Sequence, residues 1–374
     1  MDERGKKTYY RLKYFCIIGT IFSGTCSTIL AKYLDDTSFS YELFQTLFMF
    51  IGESLCVVLV VYYRVFNVKN ALASEQNNYL HRSFVSKFGK KVYAISGFCD
   101  FFGSYLQGIS YNLLSNPILM SFKMMLIFNM FLYRVLIIRR KVFRHQVLGL
   151  ILLTIGMMLV VLMSLVSPNS HQSFDRNGVI GIILMFFAQI FNMFDYISME
   201  YFMWNLKTEA AEVITIKGLS GILMITICYV PLQFIYTQDS KQNSFADPFN
   251  YLNTHAELIP FLILFMLGTC FFNYFLAKTI QVTDSLSICT LDSGRTITYW
   301  AISFAFISTR PEPLEIAGAL LLALGLCIYN EILIIPCWGL EKSAQRNLKE
   351  NQVYKEIRQK SRVWQTRLDS LMLE

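Results

Sequence analysis

Charged residues are scarce in this sequence. They make up 16% of the 374 residues, whereas an ordinary soluble domain contains roughly 25%. Hydrophobic residues make up 54% of the chain, and the mean hydropathy is +0.43. This balance excludes a soluble globular domain and favours a protein that lies in a membrane.

The residues that enzymes and metal sites use are also few. The chain has 4 histidines, and all of them fall in loops or at helix edges. No cysteine pair has the CxxC spacing, and no group of Cys and His has the spacing of a zinc site. The GxSxG and HExxH motifs are absent, as is a pair of catalytic carboxylates with a histidine. The sequence therefore predicts no enzyme, no metal site and no cofactor.

Long apolar runs are what the sequence has in abundance. A helix needs about 20 residues to cross the apolar core of a bilayer. The runs predict an all-α membrane protein with ten transmembrane helices at 14–34, 43–63, 92–114, 117–138, 146–166, 177–203, 214–236, 258–280, 286–308 and 313–335. The predicted parts are an N-terminal segment (1–13), a first five-helix repeat (14–166), a second five-helix repeat (177–336) and a basic C-terminal tail (337–374).

Lysine and arginine are distributed unevenly between the two predicted sides of the membrane. They concentrate in 1–13, 64–91, 139–145 and the tail, whereas the loops of the other side hold only Arg176, Lys241 and Arg310. Since cytoplasmic loops carry the excess of positive charge, both termini are expected in the cytoplasm. The net charge of +7 is then a signal of topology, and it requires no nucleic-acid partner.

The two halves of the chain align with each other without a gap when they are shifted by 169 residues. GLILLTIG, from Gly149 to Gly156, then falls on GALLLALG, from Gly318 to Gly325. Five predicted helices fall on five, and their ends agree within a few residues. Because each half has an odd number of helices, the second half is expected to enter the membrane from the opposite side. This inverted repeat is the plan of many secondary transporters.

The segment 286–307 (LSICTLDSGRTITYWAISFAFI) carries two charges inside a predicted transmembrane helix. Asp292 and Arg295 share one stripe of this helix with Tyr299 and Ser303. A charge at the centre of a membrane costs about 2.5–3.5 kcal/mol on insertion scales, so it should face protein or water. We interpret the stripe as one wall of a polar path, with a structural i,i+3 ion pair as the alternative.

Other polar residues fall inside the predicted helices, and each has the same two interpretations: a functional group or a polar contact between helices. Lys123 and Asp292 are expected roughly 12 Å apart in depth, and therefore without a direct ion pair. The candidates for substrate binding are Lys123, Arg295, Asp292, Glu53, Asp100, Asn273 and Gln189. The candidates for coupling to protons or other ions are Glu53, Asp100, Asp195 and Glu200.

Several motifs across the helices resemble one known family. They are Phe44-Gln45 with Met49-Phe50 and Gly52-Glu53; Cys99-Asp100 with Gly103; Ala188-Gln189 and Glu200; Phe272-Asn273 with Val282-Thr283; Leu291-Asp292-Ser293 with Arg295-Thr296 and Trp300-Ala301; and Tyr329-Asn330. The sequence resembles the drug/metabolite transporter superfamily (EamA-like), and within it the nucleotide-sugar-transporter-like solute carrier family 35, subfamily F. The block 292–301 is the most specific part of this resemblance.

The resemblance implies ten helices in two inverted repeats, with the fourth and ninth helices lining the substrate site. Two positions depart from the subfamily. Its fourth helix usually carries an arginine followed by glycine, where this chain has Lys123-Met124, and its seventh has a glutamate where this chain has Lys217. An ammonium lacks the forked geometry of a guanidinium, so the substrate of the family does not transfer to this chain.

The sequence thus predicts a multi-pass secondary transporter that moves a small polar or charged metabolite across an endomembrane by alternating access. The alternatives are a nucleotide-sugar antiporter and a non-transporting membrane scaffold or organelle-maintenance protein. The Golgi, endosome or lysosome is the expected location, and the plasma membrane stays open. The partners are a small-molecule substrate and the lipid bilayer, with no nucleic acid. A sorting adaptor at YKEI, from Tyr354 to Ile357, and a homodimer are left open.

Overall fold

A computed structural model gives the fold. It describes residues 3–37, 41–62, 90–114, 116–137, 142–166, 176–205, 208–235, 246–282, 285–306, 313–330, 333–336 and 339–343. Within these ranges the protein is all-helical and contains no strand. The eight cysteines that fall there are free thiols.

Twelve α-helices follow one another along these ranges. They are α1 (Glu3–Asp36), α2 (Glu42–Ser54), α3 (Lys90–Leu113), α4 (Asn116–Lys123), α5 (Met125–Leu136), α6 (Arg144–Val166), α7 (Arg176–Asn205), α8 (Ala210–Ile235), α9 (Ala246–Thr254), α10 (Ile259–Val282), α11 (Ser285–Phe306) and α12 (Pro313–Tyr329). A 3₁₀ turn, Ala256–Leu258, leads into α10.

The structure adds helix outside the predicted transmembrane runs and shortens one of them. Helix α1 begins at Glu3 and so continues the first apolar run back into the N-terminal segment 1–13. The segment between the seventh and eighth predicted transmembrane helices contains helix α9, whose Tyr251 stacks on His255 and donates a hydrogen bond to the carbonyl of Thr37. The tenth helix was predicted to reach residue 335 but ends at Tyr329, and 333–336 are not helical.

Two transmembrane segments are interrupted next to a buried charge. The fourth predicted helix divides into α4 and α5 at Met124, whose amide bonds the carbonyl of Ser121 three residues back. In the second segment, α2 ends after Glu53, and the amide of Cys56 bonds the carbonyl of Glu53 in the same tighter pattern before the helix resumes at 57–62. Such three-residue bonds replace the regular four-residue ladder of an α-helix.

Five segments of the described chain are long and apolar enough to cross a membrane. They are Tyr14–Leu34, Leu43–Tyr62, Gly178–Met203, Ala210–Cys228 and Ala256–Gln281. Arg144–Val160 and Ile316–Tyr329 are apolar but shorter. Large apolar side chains face outward from these segments, for example Phe22 at 71% and Ile18 at 66% exposure. Since water would disfavour such a surface, the helices form a multi-pass membrane protein whose outer surface contacts lipid.

The helices of the two halves pack against each other in pairs. The principal pairs are α6 with α12, α3 with α7, α1 with α10 and α2 with α8. Glycines permit the close approach of α6 and α12: a Cβ at Gly149 would lie 2.9 Å from the carbonyl oxygen of Gly325, and one at Gly156 would lie 2.9 Å from that of Gly318. The two contacts run in opposite chain order, so α6 and α12 are antiparallel. Small residues commonly bring transmembrane helices this close.

Candidate functional site

A cavity of about 160 Å³ lies between the helices of the two halves. It is surrounded by polar and charged side chains, which is unusual inside a membrane protein and typical of a solute path. Most of the predicted site residues line it, together with a lysine that was not among them: Asp100, Lys123, Gln189, Asp195, Lys217, Asn273, Asp292 and Arg295.

The cavity occupies one side of the helix bundle. On α1 it is lined by Ser27, Thr28 and Ala31, which lie in the last third of that helix. On the other side of the bundle, Thr20 Oγ1 and Thr279 Oγ1 are 3.3 Å apart, and both side chains are buried. The cavity therefore lies toward the end of α1, and the middle of α1 packs against the last residues of α10.

Lys123 reaches into the cavity from the end of α4. Its ammonium donates a hydrogen bond to Tyr111 Oη on α3 and lies 5.0 Å from the centre of the Tyr111 ring. Only 6% of Lys123 is exposed, so its charge interacts with these groups rather than with bulk water. Tyr111 therefore positions the ammonium against the cavity.

Asp292 and Arg295 form the predicted i,i+3 pair on α11, with Arg295 Nη2 2.7 Å from Asp292 Oδ1. The guanidinium carbon of Arg295 also lies 4.5 Å from the centre of the Phe272 ring on α10. Their side chains are 11% and 13% exposed, and both residues line the cavity. The two interpretations of this stripe are thus compatible, because the pair is an ion pair and a cavity wall at once.

A second group of charges surrounds Lys217 on α8. Its Nζ lies 3.3 Å from Asp100 Oδ2, 3.3 Å from Asp195 Oδ2 and 3.6 Å from Glu53 Oε1. Ser96 also donates a hydrogen bond to Asp195. We name these four residues, Glu53, Asp100, Asp195 and Lys217, the acidic cluster. It joins α2, α3, α7 and α8 at one point.

The acidic cluster holds three carboxyl groups against one ammonium, and none of its side chains is more than 11% exposed. If all three carboxyls were ionised, the cluster would carry an excess negative charge, which is costly away from water. Sequence reasoning predicted the three acids but placed Lys217 only among the departures from the subfamily. The signal was a single lysine inside the apolar segment Ala210–Cys228.

Two of the predicted site residues, Glu53 and Glu200, do not line the cavity. Glu53 is fully buried and contacts the cavity only through Lys217. Glu200 lies at the start of α11, where its carboxylate accepts hydrogen bonds from the backbone N–H of Ser285, at 3.1 Å, and from the Ser285 hydroxyl. A carboxylate in this position stabilises the N-terminus of a helix.

Comparisons with known proteins identify relatives across most of the chain. The sequence is 24% identical over 330 residues to solute carrier family 35 member F6 of Mus musculus, covering 83% of this chain and 86% of that protein. The corresponding protein of Rattus norvegicus is 25% identical over 333 residues, and that of Homo sapiens 24% over 330. No family model matches the sequence.

A solved crystal structure of a protein that is 11% identical superposes with a TM-score of 0.52. It covers 84% of this chain and 96% of that protein, and it shows a likeness of fold alone.

The helices form a multi-pass bundle around a charged cavity, and the relatives are named as solute carriers. The class of protein is therefore a membrane transporter. Over most of its length the chain is similar to members of solute carrier family 35, subfamily F. Its relatives are thus carriers rather than enzymes.

Proposed function

We propose that this protein is a secondary transporter that moves a small polar or charged metabolite across an endomembrane by alternating access. The observation that carries the proposal is the one-sided cavity, which is enclosed by apolar helices and lined by Lys123, Arg295 and three members of the acidic cluster, Asp100, Asp195 and Lys217. Buried charges that serve only packing would not need such a space between them.

We also propose that the helices form two inverted five-helix repeats, and the helix pairs support this. The shift of 169 residues exchanges α1 with α7 and α3 with α10. It therefore converts the pair α3–α7 into the pair α10–α1, and both pairs are principal contacts. It maps the contact of Gly149 with Gly325 onto that of Gly318 with Gly156, where the Cβ-to-carbonyl distances would be 2.9 and 3.0 Å. A two-fold axis in the plane of the membrane has this effect.

The acidic cluster is the proposed coupling site. Because three carboxyls share one ammonium in a buried position, uptake of a proton would lower its excess negative charge. The cluster connects α2 and α3 of the first half with α7 and α8 of the second, so its protonation would favour one arrangement of the halves over the other. Glu200 is left out of this role, since it stabilises the start of α11.

Uptake into proteoliposomes tests the transport proposal. A panel of metabolites is supplied to vesicles with the wild-type protein, with Arg295→Ala, or with Lys278→Ala as the control. Lys278 is a lysine outside the cavity that pairs with the exposed Glu209 at 3.3 Å. We expect uptake of at least one solute, a loss of about tenfold or more in Arg295→Ala, which corresponds to about 1.4 kcal/mol, and wild-type rates in Lys278→Ala. No uptake, exchange or ligand-induced stabilisation with any solute would contradict the proposal.

An imposed pH gradient tests the coupling. The wild type should accumulate its solute in response to the gradient, whereas Asp195→Asn should exchange the solute without responding to pH. An unchanged response in Asp195→Asn would remove the cluster from the coupling role.

Neither alternative gains support from the cavity. Of the three basic side chains that line the cavity, Arg295 is paired with Asp292 and Lys217 with the carboxyls of the acidic cluster, which leaves little for the phosphates of a nucleotide sugar. The predicted tail of a scaffold, including the YKEI adaptor site, lies outside the described residues apart from 339–343. The endomembrane location, the cytoplasmic termini and a homodimer stay predictions from the sequence.

A further inference from the structure

The two ends of the cavity carry opposite excess charge, and we infer from this that the transported solute is amphoteric, with an anionic and a cationic group separated by several bonds. This inference deepens the proposed transport function and rests on it. It names the class of solute that the cavity favours, which neither the fold nor the relatives' names specify.

One end of the cavity has an excess of positive charge. Lys123 and Arg295 contribute two cations there, and Asp292 contributes one carboxylate. Lys123 donates a hydrogen bond to Tyr111, and Asp292, the carboxylate among the described residues at this end of the cavity, is paired with Arg295. An anionic group of the solute would complete this end, with the N–H donors of the Arg295 guanidinium as a second point of contact.

The other end has an excess of negative charge. Asp100 and Asp195 face the cavity beside Lys217, and Glu53 lies behind them. Even when one of the three carboxyls is protonated, the remaining two exceed the single ammonium. The Asp100 side chain is the most exposed of the cluster at 11%, which makes it the first contact for a cationic group. An ammonium of the solute would lower the excess charge here as a proton would.

The two ends are too far apart for a single charged group to reach both. Asp100 and Tyr111 belong to the same helix, α3, and are eleven residues apart, which corresponds to about 16 Å along the axis at ~1.5 Å per residue. This is the separation of the two backbone positions, from which the side chains extend into the cavity. Between the ends lie uncharged polar residues, among them Ser104, Gln107 and Asn273. A solute whose charges are separated by a chain of several atoms fits this arrangement better than one charge alone.

The size of the cavity restricts the solute further. Its volume is about 160 Å³. A protein cavity of about 150 Å³ accommodates benzene, so a solute of roughly six to ten non-hydrogen atoms is the right size. A nucleotide is much larger. An ω-amino acid such as δ-aminovalerate has both the size and the separated charges, and it serves as the probe.

Binding to the full-length protein in lipid nanodiscs tests the inference. δ-Aminovalerate is compared with valerate, which lacks the ammonium, with pentylamine, which lacks the carboxylate, and with valeramide, which has neither. We expect δ-aminovalerate to stabilise the protein thermally and to bind about tenfold or more tightly than each analogue, about 1.4 kcal/mol per charge. Equal binding of valerate or pentylamine would overturn the inference.

Variants that remove one charge from the cavity test which end of the cavity binds the carboxylate of the solute and which end binds its ammonium. Arg295→Gln should weaken the binding of δ-aminovalerate but leave the binding of pentylamine unchanged. Asp100→Asn should weaken the binding of δ-aminovalerate but leave the binding of valerate unchanged. Lys278→Gln and Glu209→Gln are the matched controls, since this exposed pair lies away from the cavity. Arg295→Lys and Asp100→Glu keep the charges and should recover part of the affinity even if the neutral variants fold poorly. The opposite pattern of losses would contradict the assignment.

Uptake separates the failure of this inference from the failure of the transport function. If the proteoliposome panel finds a substrate with one kind of charge or with none, and δ-aminovalerate neither binds nor competes, the protein is a transporter and the inference is wrong. If no solute of any class is transported or bound, both are wrong. Uptake of ω-amino acids with competition by δ-aminovalerate supports both.

Discussion

At the scale of single residues, Lys217 is the most consequential side chain of the described structure. It is 1% exposed and lies within 3.6 Å of three carboxyl groups that come from three different helices. When one partner of a buried ion pair is removed, the remaining charge is left buried without a counter-charge. The resulting loss of stability exceeds the net contribution of the intact pair. The lysine therefore stabilises the fold in addition to any part in transport.

Replacement of Lys217 tests this role. We expect Lys217→Met to lower the free energy of unfolding by about 3–5 kcal/mol, since three buried carboxyls lose their counter-charge. Lys217→Met combined with Asp195→Asn should recover part of that loss, because one acid is then neutral. Denaturant or thermal unfolding in detergent measures both variants, with Lys278→Met as the control at an exposed pair. A stability equal to wild type in Lys217→Met would show that the carboxyls do not depend on the lysine.

At the scale of secondary-structure elements, the start of α11 depends on one carboxylate from α7. Glu200 accepts hydrogen bonds from the N–H and hydroxyl of Ser285, where the first turn of the helix has free donors. The sequence could not distinguish this role from proton coupling, because both place an acid at the end of a transmembrane helix. The contact that distinguishes the two roles joins Glu200 to Ser285, which are 85 positions apart in the sequence.

A substitution at Glu200 separates the two roles. We expect Glu200→Gln to lower stability by about 0.5–2 kcal/mol, the usual cost of losing a capping group, while the dependence of transport on pH stays as in the wild type. Thermal unfolding and uptake under a pH gradient measure the two effects. A transport rate that loses its dependence on pH would return Glu200 to the coupling site.

The contact between α6 and α12 depends on the absence of side chains. At Gly156 a Cβ would lie 2.9 Å from the backbone carbonyl of Gly318, and a backbone atom has little freedom to move away. We therefore expect Gly156→Ala to destabilise the protein by about 1–3 kcal/mol. Gly294→Ala is the matched control, since nothing lies within 4 Å of its Cβ position. Thermal unfolding compares the two, and equal melting temperatures would contradict close packing at this crossing.

At the scale of the whole molecule, the proposed alternating-access cycle needs a contact that opens on the side of the bundle away from the cavity, and the contact of α1 with α10, which we name the closed side, is the candidate. The closed side includes the pair Thr20 and Thr279 and the edge contact of Phe15 with Phe275, whose ring centres are 5.6 Å apart. In the other state these contacts must separate. The closed side is thus a contact that a transport cycle would have to open.

A disulfide at this contact tests the requirement. The double variant Thr20→Cys with Thr279→Cys should form a disulfide under mild oxidation, and transport should stop until a reductant restores it. Each single variant is a control, as is the oxidised wild type, in which the Cys56 and Cys270 sulfurs are already 3.7 Å apart. Full transport by the cross-linked double variant would show that this side stays closed throughout.

The sequence predicts the existence of the helices better than their details. Long apolar runs depend on local chemistry, and the described helices overlap the runs that predict them. Within the described ranges, five segments are long and apolar enough to span a membrane by themselves. The break at Met124 and the end at Tyr329 depend on packing against other helices. Periodicity cannot reveal such features.

The candidate site was predictable in part for the same reason. Charged residues inside apolar runs are conspicuous, so Asp100, Lys123, Asp292 and Arg295 were found from the sequence, and all of them line the cavity. Which charge neighbours which depends on the folding together of distant helices. The three contacts of Lys217 were therefore beyond the sequence.

Met124 leaves a joint in the backbone directly after Lys123. Its amide bonds three residues back, so the ladder of the fourth segment is weakest where the cavity charge is attached. A change in the backbone dihedral angles at Met124 would reorient the Lys123 ammonium while α4 and α5 keep their own hydrogen bonds. We therefore expect the position of this charge to be adjustable without movement of a whole helix.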